Sequence, residues 1–226
     1  MKKIGVIGLG DMGSGIALNL IKNGFKVFGS DLLPARQQAF KNMGGSLEIS
    51  IADIGKKCDA VFVMVMNGSQ AKSIIFDEDG LARNMEAGST VILSATIKPS
   101  EAEEIGHLIK DTGLQFIDTP VSGGFPGAQS GTLTLMASAS EDVMNKNRDV
   151  LEAISANIHH VGKEAGQGQT VKACLQSLIG AQFSATFEAA ALAAKAGISG
   201  EVLHTVFSTS SAGCGIVNNA LQKIID

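Results

Sequence analysis

Six residues near the N-terminus, Gly8-Leu9-Gly10-Asp11-Met12-Gly13, have the types and spacing to cradle a pyrophosphate. In a glycine-rich chain that spacing alone says little. Here it closes an apolar run that starts at Lys3 and opens a helical stretch, which makes it specific. Gly8 permits a tight turn, Gly10 lets backbone approach the phosphates, and Gly13 allows the helix to pack closely on the strand. Leu9, Asp11 and Met12 complete the loop, and the helix N-terminus faces the phosphate charge. Asp31 ends the next strand, about 20 residues beyond the loop, where a carboxylate accepts hydrogen bonds from the adenosine ribose hydroxyls. The same carboxylate repels a 2′-phosphate, so NAD is expected in preference to NADP. Arg36 has the charge to hold a 2′-phosphate, but one turn into a helix it reads as a solvated surface residue.

The elements that must position these residues alternate along the first two-thirds of the chain. Short β-branched runs at residues 3–9, 26–30, 60–65, 90–94 and 115–118 read as strands. Several are continuously apolar, as strands covered on both faces should be. Helices are expected between them at 13–23, 34–43, 69–76 and 99–112, with Pro34 and Pro99 suited to a first helical turn. Strands at 132–137 and 157–161, with a helix at 141–154 between them, would extend the sheet. The pattern is that of an α/β doubly wound parallel sheet, a Rossmann fold.

After Gly162 the character changes. An alanine-rich, proline-free run predicts one long helix over 169–196, with Val171, Cys174, Leu175, Leu178 and Ile179 spaced as a buried stripe. Gly197 is a natural stop. Short helices are expected at 200–207 and 215–225. The reading is therefore a dinucleotide-binding domain over 1–162 and a small all-α domain over 163–226.

Composition narrows the classes further. A net charge of −4 without a Lys/Arg cluster gives no reason to expect nucleic acid. The longest apolar run, residues 60–66, is too short to cross a bilayer. The N-terminus lacks the apolar core and cleavage site of a signal peptide. Cys58, Cys174 and Cys214 are odd in number and widely spaced, which fits reduced thiols in a cytoplasmic protein. The adjacent His159 and His160 would point opposite ways on a strand, and no metal site is expected.

Four segments together resemble the β-hydroxyacid dehydrogenases, a family that includes 3-hydroxyisobutyrate, tartronate semialdehyde and threonate-type enzymes. They are the glycine loop at 8–13, Asp118-Thr119-Pro120-Val121-Ser122-Gly123-Gly124, Gly131-Thr132-Leu133-Thr134-Leu135-Met136-Ala137, and Gly166-Gln167-Gly168-Gln169-Thr170-Val171-Lys172. The resemblance runs over nearly the whole chain and implies an oxidoreductase moving hydride between NAD and a small hydroxy acid. It implies Lys172 as general acid/base. Ser122, Gly123, Gly124 and Gln176 would hold the substrate, the first three by a hydroxyl and close backbone amides suited to a carboxylate. Thr96 would contact the nicotinamide ribose, and Met66 would line the cofactor cleft.

Two features depart from the family. Gln176 stands where asparagine is usual, so the substrate atoms must sit differently or be smaller. The C-terminal domain is shorter than the family's and carries no counterpart of its lysine–aspartate pair. A shortened helical domain would expose apolar surface, favouring a homo-oligomer. The alternative is a catalytically silent NAD-binding or assembly module. An imine or ketone reductase on the same scaffold usually lacks the lysine, so Lys172 counts against that reading.

Overall fold

The computed structural model describes residues 1–48 and 50–226. The chain forms two compact units, Met1–Lys172 and Ala173–Asp226. In the first, the described strands are β1 (Lys3–Ile7), β2 (Lys26–Ser30), β3 (Ser46–Leu47), β4 (Ala60–Val63), β5 (Thr90–Leu93), β6 (Gln115–Asp118), β7 (Val121–Ser122), β8 (Leu133–Ser138) and β9 (Ser155–Gly162). The order β3-β2-β1-β4-β5-β6 is parallel throughout. β8 then runs antiparallel to β6 and β7 and parallel to β9. The order reverses at β1, and the crevice beyond the carboxyl ends of β1 and β4 is where such sheets bind ligands.

Helices cover both faces: α1 (Asp11–Lys22), α2 (Pro34–Asn42), α3 (Ile51–Lys57), α4 (Gly68–Phe76), α5 (Leu81–Asn84), α6 (Pro99–Ile109), α7 (Gly124–Ser130), α8 (Glu141–Lys146) and α9 (Arg148–Glu152). The core falls into two apolar clusters. One joins Ile4, Val6, Ile16, Leu20, Phe62 and Ile92; the other joins Ile54, Val61, Val63, Ile75, Val91 and Ile105. Successive residues of β4 alternate between them, which is why that strand reads as an unbroken apolar run.

Several expected boundaries move. α1 begins at Asp11 rather than residue 13, because Gly10 is extended and already serves as its N-cap. The helix expected over 141–154 is two helices, parted where the side chain of buried Asn147 bonds to Thr90 Oγ1 (3.1 Å) and the Val143 carbonyl (2.9 Å). The last turn of the helix expected over 99–112 is a 3-10 turn at Lys110–Thr112, closed by Gly113 at φ 75°.

α7 was not anticipated, since Gly124-Phe125-Pro126-Gly127 argues against a helix. Packing against α1 supports it. Asn19, buried on α1, donates its amide to the carbonyls of Ala128 (2.8 Å) and Gln129 (3.2 Å). Opposite it, a Cβ on Gly15 would lie 2.5 Å from the Ala128 backbone carbon. Gly15→Ala is therefore expected to overpack this contact and cost about 1–3 kcal/mol of stability. Urea titration checks it, and an unchanged midpoint would show that α7 shifts freely.

In the second unit the long helix α10 (Gln167–Lys195), which starts within the first unit, runs to a stop at Gly197 (φ 76°). The amide of Gly197 bonds to Ala194 O and that of Ile198 to Ala193 O, so a left-handed glycine closes the helix. α11 (Gly200–Thr209) packs on α12 (Gly215–Ile225), where Val217, Ala220 and Leu221 are buried. Leu178, Phe187, Leu192, Val202 and Val206 remain exposed. No helix among the described residues is long and apolar enough to cross a membrane.

Candidate functional site

The glycine loop joins β1 to α1 with the geometry its spacing demands. Gly8 has φ 91°, and a Cβ there would lie 2.1 Å from the Met64 carbonyl oxygen. A Cβ on Gly13 would lie 1.8 Å from Gly8 O, so helix and loop touch only because Gly13 has no side chain. The first helical bond runs from Ser14 N–H to Gly10 O (2.8 Å). The amides of Asp11, Met12 and Gly13 precede it and are left for an anion.

Beside the loop opens a cleft of about 900 Å³, a volume in the range of small-molecule sites. Its walls include Gly8, Gly10, Asp11, Met12, Gly13, Asp31 and Met66, so these residues, expected from sequence to bind the cofactor, converge. Leu9 does not face it; its side chain is buried in the core, and its amide reaches Asp31. Val65, beside Met66, lines the cleft as well, and so do Leu32, Gln70, Ser73 and Ile74, which carried no signal in the sequence. Leu32 is 94% exposed and Met66 84% exposed, an unusual placement for apolar side chains and suited to the flat face of a base. Loop amides at one end and an apolar wall at the other fit the pyrophosphate and adenosine of a dinucleotide.

Asp31 is more committed than the sequence suggests. Its Oδ2 accepts from Leu9 N–H (2.7 Å) and its Oδ1 from Leu33 N–H (2.9 Å). Arg36 Nη1 stands 3.6 Å from Oδ2, and the Arg36 guanidinium also lies over Gly10. Arg36 is exposed, in keeping with the surface reading, and at the same time lines the cleft. A carboxylate has about four lone-pair sites, so Asp31 retains acceptor capacity for ribose hydroxyls.

At the other end of the sheet, Ser122 ends β7, with Gly123 (φ 128°) and Gly124 (φ 58°) turning the chain into α7. Both glycines are solvent-exposed and Ser122 is half-buried. Thr96 is exposed on the loop between β5 and α6. Lys172 lies in the second turn of α10 and is only 8% exposed. Its ammonium has no hydrogen-bond or ion-pair partner among the described residues, and burial lowers its pKa from the ordinary lysine value. Gln176 follows on the same helix, within the second unit, and is exposed.

A buried polar cluster at the start of α10 escaped the sequence reading. Asp118, fully buried at the end of β6, accepts from Gly166 N–H (2.9 Å) and from the Gln169 side-chain amide (2.7 Å). Burial raises its pKa, and the donors around it oppose that rise. Its position in the segment 118–124 was the only clue to it. Cys58 is buried with its thiol pushed up to about 12, so it is chemically inert at neutral pH. A smaller cleft of about 240 Å³ includes Arg148 and His160, but Arg148 is paired with Glu152 and His160 with the Ala139 carbonyl.

Comparison with known proteins is consistent over the whole chain. Residues 3–162 match the family model described as the NAD binding domain of 6-phosphogluconate dehydrogenase. Residues 166–226 match the one described as NAD-binding of NADP-dependent 3-hydroxyisobutyrate dehydrogenase. An L-threonate dehydrogenase of Cupriavidus necator is 37% identical over 99% of this chain and 75% of its own length. An L-threonate dehydrogenase of Escherichia coli is 35% identical over 99% of this chain and 74% of its own. The crystal structure of a 3-hydroxyisobutyrate dehydrogenase from Salmonella typhimurium superposes with a TM-score of 0.89 at 33% identity, covering 100% of this chain and 79% of that one.

Proposed function

The chain belongs to the β-hydroxyacid dehydrogenase family and is an NAD-linked hydroxy-acid oxidoreductase, and from that premise we propose how its residues divide the work. The observation that carries the reading is a buried lysine, unpaired among the described residues, at the head of a helix in a chain that also holds a dinucleotide-sized cleft. Lys172 is the general acid/base. Its neutral amine takes the proton from the substrate hydroxyl during oxidation, and its ammonium returns a proton to the carbonyl oxygen during reduction. Loss of hydration favours the neutral amine, which a base requires.

NAD, when bound, supplies the hydride acceptor. The amides following Gly10 hold its pyrophosphate, Asp31 its adenosine ribose, Met66 the cleft wall and Thr96 the nicotinamide ribose. Ser122, Gly123 and Gly124 offer a hydroxyl and backbone amides to the substrate carboxylate, and Gln176 adds an amide. The cofactor domain spans residues 1–162 and the helical domain 163–226. Similarity to L-threonate dehydrogenases supports a three- or four-carbon hydroxy acid as substrate. The exposed apolar side chains of the second unit support a homo-oligomer. The free thiols Cys58, Cys174 and Cys214 support a cytoplasmic setting.

The test follows NADH absorbance while NAD and a panel of hydroxy acids, L-threonate, glycerate and 3-hydroxyisobutyrate among them, are supplied. Turnover of at least one, faster with NAD than with NADP at equal concentration, is expected. Faster turnover with NADP would show that Arg36, not Asp31, governs the choice.

A further inference from the structure

We propose that Gln169 is a positioning residue for this reaction, one side chain that holds the Thr96 loop, Asp118 and the first turns of α10 in fixed register. The inference rests on the function proposed above, and its geometry lies entirely within the first unit.

Gln169 is 1% exposed, and its amide is fully used. Its Oε1 accepts from Ile97 N–H (3.0 Å), and its Nε2 donates to Ala95 O (3.0 Å) and to Asp118 Oδ1 (2.7 Å). The two backbone groups it binds flank Thr96, so the loop is gripped on both sides of the residue assigned to the nicotinamide ribose. The other end of the same side chain starts three residues before Lys172, less than one helical turn away.

Asp118 completes the clamp from β6. Its Oδ2 accepts from Gly166 N–H (2.9 Å) and lies 3.4 Å from Gln169 N and 3.3 Å from Ser138 Oγ. A buried carboxylate therefore caps α10 from a remote strand, where the helix N-terminus favours negative charge. The close fit leaves no slack. A Cβ on Gly168 would stand 2.4 Å from Met136 O and 3.0 Å from Asp118 O. Each group on Gln169 is answered by a partner of the opposite kind, and a satisfied buried network of this sort fixes a single arrangement.

The decisive variant is Gln169→Met, which keeps the length and removes all three bonds. Four quantities are measured: exchange of the Ile97 amide proton, NADH affinity, kcat with its pH midpoint, and melting temperature. The remote core variant Ile154→Val serves as a stability control. Ile97 exchange is expected to accelerate by about tenfold or more, since its acceptor is gone. The kcat should fall by about 10- to 100-fold, the size of effect that small misplacements produce. The pH midpoint for oxidation should move up, because a loosened helix start lets water reach Lys172. NADH affinity should change little.

If kcat and pH midpoint follow the melting temperature as they do in Ile154→Val, Gln169 only fills the core and the proposal is overturned. Should Gln169→Met not fold, Gln169→Glu keeps the acceptor for Ile97 and loses the donors, and the same changes in kcat and pH midpoint are required. If the wild type oxidises no hydroxy acid, the functional reading fails separately. Ile97 exchange then decides alone: acceleration supports the clamp, and an unchanged rate overturns it.

Discussion

Lys172→Ala is expected to lower kcat for hydroxy-acid oxidation by about 10²- to 10⁴-fold, the usual worth of a positioned general base, while leaving NADH affinity intact. Among the described residues Lys172 is the one buried lysine and its amine is unpaired, so desolvation acts on it without compensation. Lys172→Arg should fail as badly, because guanidinium does not deprotonate in proteins. A charge role alone would survive that change, so the pair of variants separates base from cation.

The pH dependence follows from the direction of the shift. Oxidation needs the neutral amine, so kcat/KM should rise with pH through a midpoint below the ordinary lysine value of about 10.4. Reduction needs the ammonium and should fall through the same midpoint. For stability, the unfolded chain holds this proton more tightly than the folded one. Stability should therefore rise with pH between the lowered folded pKa and the unfolded value, and below that window the buried charge is a standing cost. Lys172→Met is expected to be inactive yet more stable than wild type at neutral pH, which thermal melts at pH 7 check. Undiminished turnover in any of these variants would remove Lys172 from the mechanism.

Gly10 and Gly13, two glycines of one loop with opposite surroundings, make the second large prediction. Gly10 is extended (φ −67°, ψ −167°), and a Cβ there would meet nothing nearer than the Arg36 guanidinium at 3.6 Å. Gly10→Ala should therefore fold normally. Its methyl group would occupy the face on which a pyrophosphate must settle, at an overpacking cost of about 1–3 kcal/mol. NADH affinity should fall by about 5- to 150-fold on that scale. Gly13→Ala meets the opposite fate, since its Cβ would stand 1.8 Å from a backbone oxygen. It should lose melting temperature first, by about 2–4 °C for each kcal/mol in a chain of this size. Calorimetric NADH titration and thermal melts on both variants read the contrast. Normal NADH binding by Gly10→Ala would mean that the phosphates do not rest on this loop.

The sequence by itself determined the dinucleotide half of this protein. β1, the glycine loop and α1 are local in the chain, and Gly13 is required by its contact with Gly8 inside that unit, while Gly8 is required by the Met64 carbonyl just beyond β4. The apolar runs at β4 and β5 identified buried parallel strands because both faces of a central strand meet helices. Lys172 was legible only through the segment around it. A lysine on a helix carries no mark of burial, and its depressed pKa arises from surroundings supplied by other parts of the chain.

Tertiary structure decided the rest. α7 forms in a Gly/Pro-rich stretch because Gly15 and Asn19, more than a hundred residues earlier, offer it a close surface and two amide hydrogen bonds. Asp31 accepts from the amides of Leu9 in the glycine loop and Leu33 in its own turn, and Arg36 leans over Gly10, because β2 and α2 place them there. Gln169 was part of a matched segment, yet its partners at Ala95, Ile97 and Asp118 lie 51 to 74 residues away. Local patterns fix which faces of a helix or strand are apolar. Partners for a buried amide or carboxylate are chosen by whichever strand ends the sheet brings together, and that choice is a property of the assembled fold.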